Sequence, residues 1–320
     1  MPLIDMPLEE LKTYMGISPE PDDIDTFWDK ALAEMKAADP QISIEESEFK
    51  APYAECYDMT FTGMGGARIY AKLIKPIIPK GKSPAVIKFH GYTMDSGDWI
   101  ALLPYAAAGF TVASMDCRGQ GGKSEDVGGV RGNTLHGHII RGLEEGPEKL
   151  LYRSIFCDAA QLAGIVMDMD DVEEKRVGCY GGSQGGALAL ACASLEPRIN
   201  RVASIEPFLS DYRRVWDMDL DKKAYQEIQD WFRRFDPTHE REDEFFRTLS
   251  YIDVKNIVHR IDGELLMLTG LMDDMCPPSA QFAAYNHVTS KKDMVLFPDF
   301  GHEELPRAYD RVFRFMMGML

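Results

Sequence analysis

The stretch Cys179-Tyr180-Gly181-Gly182-Ser183-Gln184-Gly185-Gly186 has the spacing Gly-x-Ser-x-Gly around Ser183. A strand is predicted at 176–180 and a helix rich in small residues at 184–195, so the serine lies in a sharp turn between them. Such a turn pushes the serine out at its apex and leaves no room for neighbouring side chains, which explains the flanking glycines. The spacing alone also occurs in ordinary loops. The strand–turn–helix context instead predicts a nucleophilic serine at position 183.

The composition fits a folded protein with a large core. The chain has 320 residues, of which 45% are hydrophobic and 10% aromatic, enough for one large domain or two small ones. Its formal net charge is −17, so it repels phosphate backbones and no nucleic-acid partner is expected. The simplest explanation of the acidity is a solvated surface.

The cysteines and the first residues of the chain indicate in which cellular compartment the protein is expected. The cysteines form no Cys-x-x-Cys pair, which predicts free thiols in a reducing compartment instead of disulfides or a zinc site. Residues 1–16 lack a basic start followed by an apolar run, so no signal peptide is predicted. Because no stretch reaches the length of a membrane span either, we expect a cytoplasmic protein without membrane contact. The six cysteines are Cys56, Cys117, Cys157, Cys179, Cys192 and Cys276.

The first quarter of the chain is predicted to be an extension of residues 1–80. It begins with an irregular arm that contains a short helix at 8–14. Asp23 and Asp25 are expected to cap the following helix, whose apolar residues recur with helical spacing from Ile24 to Met35. Antiparallel strands are predicted at 43–49, 56–61 and 68–75, with a turn at 64–66.

From residue 84 onwards, apolar strands alternate with helices. This alternation predicts an α/β fold with a mainly parallel sheet and helices on both faces. The predicted strands are 85–90, 110–115, 176–180, 202–205, 264–269 and 294–297, and the predicted helices are 99–108, 154–169, 184–195 and 306–317.

One segment interrupts the alternation. Residues 207–260 are charged and predicted to be helical at 212–216, 222–235 and 241–249. We interpret them as a helical cap inserted over the carboxyl ends of the strands, where sites lie in open α/β sheets. A single domain of residues 1–320, with this cap and the amino-terminal extension, is the simplest organisation.

A serine hydroxyl needs a base to take its proton and a carboxylate to hold that base. In α/β-hydrolases these residues follow separate strands in the chain order serine, acid, histidine. Here Asp273 and Asp274 follow the strand at 264–269, and His302 follows the last strand, so order and placement agree with Ser183. We favour Asp273 as the acid; the alternatives are Asp274, or an aspartate that only caps the turn before Pro277.

Of the seven histidines, only His302 follows the last predicted strand. His90 is expected to order the loop beneath the site. His136 and His138 lie in a glycine-rich loop without a third ligand at suitable spacing, so no metal is predicted. No organic cofactor is expected either. The other histidines are His239, His259 and His287.

Ester cleavage also needs hydrogen-bond donors for the developing oxyanion. One is expected to be the backbone N–H of Gln184, directly after the nucleophile. The other should come from the loop after the strand at 85–90, where the N–H of Tyr92 is best placed.

Three motifs carry a family resemblance: Arg118-Gly119-Gln120, Gly181-Gly182-Ser183-Gln184-Gly185 and His302-Glu303. On these motifs the chain resembles carbohydrate esterase family 7, the acetyl xylan esterase and cephalosporin C deacetylase group of the α/β-hydrolase superfamily. The likeness covers nearly the whole chain and is weakest at 121–146. Further similar segments include His90-Gly91-Tyr92, 246–251, Gly270-Leu271-Met272-Asp273, 276–279 and 282–286.

The resemblance implies the same site: nucleophile Ser183, acid Asp273, base His302 and oxyanion donors Tyr92 and Gln184. It implies a structural Arg-Gly-Gln motif in which Arg118 ties loops near the site together, the alternative being a surface ion pair. It also implies a ring-shaped homohexamer, a trimer of dimers whose sites face an internal chamber. Such a chamber admits small substrates, namely acetylated xylo-oligosaccharides and cephalosporin C, and excludes polymeric xylan.

Two other functions compete with this interpretation. A peptidase or acyl-peptide hydrolase of similar architecture usually has a large additional domain that admits peptides, and the sequence shows none. A non-catalytic binding protein of the same fold typically lacks a member of the triad, whereas all three positions are filled here.

Overall fold

A nine-stranded sheet runs through this computed structural model, which describes residues 4–77, 81–127 and 134–320. The strand order is β1-β2-β3-β5-β4-β6-β7-β8-β9. Pairing is antiparallel from β1 through β3 to β5 and parallel from β5 through β9. The strands are β1 Ser43–Glu46, β2 Ala54–Thr62, β3 Arg68–Pro76, β4 Ser83–Phe89, β5 Thr111–Met115, β6 Val172–Gly182, β7 Arg201–Ile205, β8 Glu264–Gly270 and β9 Lys292–Phe297.

Helices cover both faces of the sheet, which confirms the predicted α/β fold. One apolar core lies under α2, α4 and α5, and a second lies on the opposite face under α3 and α10. In the described ranges no helix is both long and apolar enough to cross a membrane. The helices are α1 Leu8–Leu11, α2 Ile24–Ala37, α3 Leu103–Ala107, α4 Leu151–Met167, α5 Gln184–Leu195, α6 Tyr212–Asp217, α7 Gln226–Phe235, α8 Glu242–Leu249, α9 Pro278–His287 and α10 Ala308–Met317.

The central strands and α5 are buried because they are covered from both sides. All five residues of β5 are buried, as expected of a parallel strand between two helical layers. Every residue of α5 is also buried. Its small side chains allow close approach to the sheet: a Cβ on Gly186 would lie 2.9 Å from the Ile205 carbonyl oxygen. This packing fixes α5 directly behind the turn that carries Ser183.

Several predictions about the helices were wrong in detail. The helix expected at 8–14 ends at Leu11, and the one expected at 99–108 divides into a 3₁₀ turn, Trp99–Ala101, and the short α3. Asp23 lies at the N-cap of α2 without capping it, because its carboxylate accepts the hydroxyl of Tyr251 instead. Asp25 is likewise used elsewhere, in a hydrogen bond with His259 and an ion pair with Arg260.

Residues 207–260 contain α6, α7 and α8, which pack through an aromatic cluster. The segment reaches the loop that follows β4: the buried carboxylate of Glu227 accepts the hydroxyl of Tyr92 and the backbone N–H groups of Ile139 and Ile140. The division into extension, core and cap stays a prediction. The cluster comprises Trp216, Trp231, Phe232, Phe245 and Phe246.

Arg118 forms a buried ion pair near the carboxyl end of β5. Its guanidinium donates twice to the Asp158 carboxylate of α4, at 2.7 Å each, and once to the Met64 carbonyl at 2.9 Å. The side chains of Arg118 and Asp158 are only 2% and 1% exposed. The contact therefore joins α4, the loop after β5 and the turn between β2 and β3, so Arg118 does not form a surface ion pair.

Replacing Arg118 by methionine should lower the free energy of unfolding by about 3–5 kcal/mol, because a charged Asp158 stays buried without its partner. Urea denaturation measures this loss. The double variant Arg118→Met/Asp158→Leu should recover part of it, because the charge is removed but the buried N–H of Met64 loses its acceptor. The matched control is Arg260→Met, which removes a pair with exposed aspartates and should cost about 0–1 kcal/mol. Equal losses for Arg118→Met and Arg260→Met would contradict the assigned role.

Candidate active site

Three strand ends bring the predicted catalytic side chains together. Ser183 follows β6, Asp273 follows β8 and His302 follows β9, so all three lie at the carboxyl edge of the parallel strands. The Ser183 hydroxyl lies 3.1 Å from His302 Nε2, and His302 Nδ1 lies 2.9 Å from Asp273 Oδ2. Because an ionised carboxylate can only accept, Nδ1 carries the proton and Nε2 faces the serine as an acceptor.

Ser183 has a strained backbone. Its φ of 55° and ψ of −119° lie outside the regions that most residues adopt, at a cost on the order of 1–3 kcal/mol. Hydrogen bonds from its N–H to the Ile205 carbonyl and from the Phe208 N–H to its own carbonyl hold the turn. A Cβ on Gly185 would lie 2.2 Å from the Phe89 carbonyl oxygen, so this position has no room for a side chain.

The structure selects Asp273 over Asp274 as the partner of the imidazole. Asp273 is fully buried, whereas Asp274 is exposed and lies 3.2 Å from the ammonium of Lys223. Besides His302, the Asp273 carboxylate accepts from the N–H groups of Met275 and Cys276 and from the side-chain amide of Gln281, at 2.8–3.0 Å. These donors fix the carboxylate and stabilise its negative charge.

A second carboxyl group, which the sequence analysis did not single out, lies beside the same imidazole. Glu206 follows β7, is 4% exposed and places Oε2 at 4.0 Å from His302 Nδ1. Burial, and next the charge of Asp273, raise the pKa of Glu206 to about 9. Its position directly after a parallel strand next to β8 was the signal that could have revealed it.

Of the two predicted oxyanion donors, Tyr92 lies in the loop after β4 and Gln184 is the first residue of α5. A buried amide network joins these two segments. Gln120 accepts the backbone N–H of Thr93 at 2.9 Å and donates to the side-chain oxygen of Gln184 at 2.8 Å. The Tyr152 hydroxyl donates to that same oxygen at 2.6 Å. Gln120 thereby couples the loop of Tyr92 to the first residue of α5. The donor roles of the Tyr92 and Gln184 N–H groups stay predictions.

The three residues of the Arg-Gly-Gln motif have different structural roles. Arg118 forms the buried ion pair described above, and Gln120 forms the amide network. Gly119 has a φ of 67°, a left-handed conformation that glycine adopts without strain. Its N–H donates to the Ser124 carbonyl and its carbonyl accepts from the Thr134 N–H, which fixes the loop after β5.

The other histidines near the site have structural contacts. His90 Nε2 accepts the backbone N–H of Cys117 at 2.9 Å, and Nδ1 therefore donates to the Gly91 carbonyl at 2.7 Å. Burial lowers the pKa of His90, which keeps it neutral in this role. His138 Nε2 contacts the Thr134 hydroxyl, and His136 contacts Asp230. His90 thus orders the loop beneath the site, as expected.

One group among the described residues has potential metal ligands within 4.8 Å of one another: Asp273, Cys276 and His302. Its carboxylate and imidazole already face each other and Ser183. Burial raises the pKa of the Cys276 thiol, which disfavours the thiolate that binds metals. The donor set therefore suits proton transfer better than metal binding, and the absence of a metal stays a prediction.

A cavity of about 500 Å³ opens onto Ser183 and His302. Its wall includes the loop after β4, Glu206 and residues of the segment that leads into α10. A neighbouring cavity of about 540 Å³ is lined by aromatic side chains and shares Lys88 and Tyr309 with the first. The nucleophile is therefore accessible from a space that holds a small molecule or a short oligosaccharide.

Comparisons with known proteins identify a family and solved structures that this chain resembles. The family described as acetyl xylan esterase (AXE1) matches residues 1–319. A crystal structure of acetyl xylan esterase 1 from Thermoanaerobacterium sp. JW/SL YS485 superposes with a TM-score of 0.95 at 59% identity, covering 98% of this chain and 99% of that one. An acetyl xylan esterase from Paenibacillus sp. R4 gives a TM-score of 0.91 at 34% identity, with 98% and 100% coverage.

A curated relative is more distant. Acetyl esterase Axe7A of Xylanibacter ruminicola is 26% identical over 300 residues, which cover 89% of this chain. The chain spans 66% of the length of that relative.

Replacing Gln120 by leucine should lower kcat for ester hydrolysis on the order of tenfold, because the loop of Tyr92 loses the link to Gln184 that runs through Gln120. Steady-state kinetics on p-nitrophenyl acetate measure the effect, and KM should change less than kcat. The exposed Gln226 of α7 is the matched control, and Gln226→Leu should keep the wild-type kcat. A folded Gln120→Leu enzyme with wild-type kcat would show that the network does not support catalysis.

Proposed function

The chain belongs to the acetyl xylan esterase family, and we propose that it is a serine esterase that removes acetyl groups from small esters through Ser183, His302 and Asp273. Family membership makes it a carboxylic ester hydrolase. The observation that carries the finer proposal is the continuous hydrogen-bonded relay from Ser183 through His302 to a fully buried Asp273.

In the first half of the proposed reaction, His302 Nε2 takes the proton of the Ser183 hydroxyl as Oγ attacks the acetyl carbonyl. Asp273 stabilises the imidazolium that forms, and the N–H groups of Tyr92 and Gln184 stabilise the oxyanion. The C–O bond to the alcohol then breaks, and His302 donates the proton that it took from Ser183 to the oxygen of the leaving alcohol.

In the second half, His302 takes a proton from water, which attacks the acetyl-enzyme. Acetate leaves, and the proton on His302 returns to Ser183. The strained turn at Ser183 supports this sequence because it presents Oγ to the cavity and to His302 at once. These steps need the side chains named here and a water molecule, and the absence of a cofactor is part of the proposal.

The proposed substrates are acetylated xylo-oligosaccharides and, as a further small acetyl ester, cephalosporin C. Support comes from the family and from the size of the cavity at Ser183, which suits one or a few sugar units. The solved relatives are described as acetyl xylan esterases and the curated relative as an acetyl esterase. The hexameric ring and the cytoplasmic location expected from the sequence belong to the same proposal.

Replacing Ser183 by alanine should lower kcat for p-nitrophenyl acetate by at least about 10⁴-fold, because the attacking oxygen is gone. Spectrophotometric assay of p-nitrophenol release measures the loss, and circular dichroism checks the fold. The control is Ser154→Ala on α4, which should keep wild-type turnover. Turnover retained by a folded Ser183→Ala enzyme would end the assignment of the nucleophile.

A panel of esters should show that the acyl group is recognised more strictly than the alcohol. We expect comparable kcat/KM for acetyl esters of p-nitrophenol, xylo-oligosaccharides and the cephalosporin. Butyryl esters should be cleaved at least about tenfold less efficiently. Short peptides and acyl-peptides in the same panel should not be cleaved. Faster cleavage of peptides than of acetyl esters would favour the peptidase instead.

A further inference from the structure

Two carboxyl groups approach the same nitrogen of the catalytic imidazole. Asp273 Oδ2 lies 2.9 Å and Glu206 Oε2 lies 4.0 Å from His302 Nδ1. Glu206 follows β7, which lies between the strand that carries Ser183 and the strand that carries Asp273. The site therefore contains one more acidic group than the proposed relay uses.

The surroundings of Glu206 are energetically unfavourable for a carboxyl group. In the part of the chain that the structure describes, its buried Oε1 has no hydrogen-bond partner. Its backbone φ is 45°, a left-handed conformation that is strained for a non-glycine residue. The N–H of Glu206 donates to the Leu268 carbonyl at 2.9 Å, and a Cβ on Gly270 would lie 2.8 Å from Oε1. The backbone and the neighbouring glycine thus place the carboxyl beside the imidazole.

The charge of Glu206 depends on Asp273. Burial and the negative charge of Asp273 both disfavour a second carboxylate, so Glu206 is neutral at pH 7. Removing the Asp273 carboxylate takes away the second of these effects and leaves His302 Nδ1, which carries the proton, at 4.0 Å from Glu206 Oε2. The ionised form of Glu206 then becomes more favourable. The titratable groups that face it are Asp273, Cys276, His302, Glu303 and Tyr309.

We propose that Glu206 is a second acid for His302, a positioning residue that is protonated while Asp273 holds Nδ1 and accepts the Nδ1–H when the Asp273 carboxylate is absent. Glu206 loses its proton to solvent, and the carboxylate then fixes the imidazole tautomer in which Nε2 faces Ser183. The one bond that breaks is the O–H bond of the Glu206 carboxylic acid, whose proton passes to water. The inference rests on the proposed function, because Glu206 acts only through His302 as the base.

The first test compares kcat for p-nitrophenyl acetate in the full-length chain. Asp273→Ala should retain on the order of 100-fold more activity than His302→Ala, because Glu206 partly replaces the acid. The double variant Asp273→Ala/Glu206→Gln should fall to the level of His302→Ala. Glutamine resembles the neutral carboxylic acid in shape but cannot ionise. Glu206→Gln in the wild-type background should therefore cost much less than it costs in the Asp273→Ala background.

The second test is the pH profile, which a merely structural role of Glu206 would not change. In the Asp273→Ala variant, only the ionised form of Glu206 can accept the Nδ1–H of His302. The contribution of Glu206 to kcat is therefore present above the pKa of Glu206 and is lost as the pH falls through that pKa. The kcat profile of Asp273→Ala should show an ionisation that the double variant lacks.

The variant Asp273→Asn repeats the test with less disturbance of the fold than Asp273→Ala. It keeps a side-chain oxygen for the N–H groups of Met275 and Cys276, and Glu206→Gln should again cost more in this background than in the wild type. Asp274→Asn is the matched control and should not alter the effect of Glu206→Gln.

Equal losses from Glu206→Gln in the wild-type and both Asp273 backgrounds would overturn the inference. So would identical pH profiles for Asp273→Ala and the double variant. Neither result would affect the proposed function, which is tested separately by the turnover of a folded Ser183→Ala enzyme.

Discussion

The structure depends on one geometric constraint: β6, β7, β8 and β9 run parallel and end at one edge of the sheet. The hydrogen bond between Ser183 and His302 joins residues that are 119 positions apart. No local structure could bring them together. Strand register does so, because neighbouring parallel strands place their following loops side by side. Backbone hydrogen bonds between the strands therefore set the positions of the catalytic residues before substrate binds.

Buried polar contacts refine this placement. Arg118 and Asp158 hold α4 against the loops, and Gln120 links Thr93 to Gln184. Each of these groups would be costly in an apolar interior if its partner were lost. Their satisfied state fixes the loop of Tyr92 and the start of α5 in one arrangement. Within the Arg-Gly-Gln motif, Arg118 thus contributes to stability and Gln120 to the geometry of the active site. None of the three residues contacts the imidazole of His302 in the described structure.

The sequence predicted the fold and the convergence of Ser183, Asp273 and His302 because both follow from simple patterns. Alternating apolar strands and helices predict a parallel sheet, and residues after its strands meet at one edge. The contacts that depend on tertiary partners were not predictable in this way. Asp23 has the right position for a cap, but Tyr251, far along the chain, takes its carboxylate. Helix α9, which begins at Pro278, is absent from the predicted helices. Glu206 looked like an ordinary acidic residue, since only the fold reveals its burial and its distance to His302.

The most direct measurement of the central claim is identification of the covalent intermediate. The enzyme is mixed with excess p-nitrophenyl acetate, quenched in acid within the steady state, digested and mapped by mass spectrometry. The account predicts an acetyl group on the peptide that contains Ser183, located on that side chain, and its loss when the trapped enzyme is returned to neutral pH. An acetyl group on another residue, or unmodified Ser183 during rapid turnover, would contradict it.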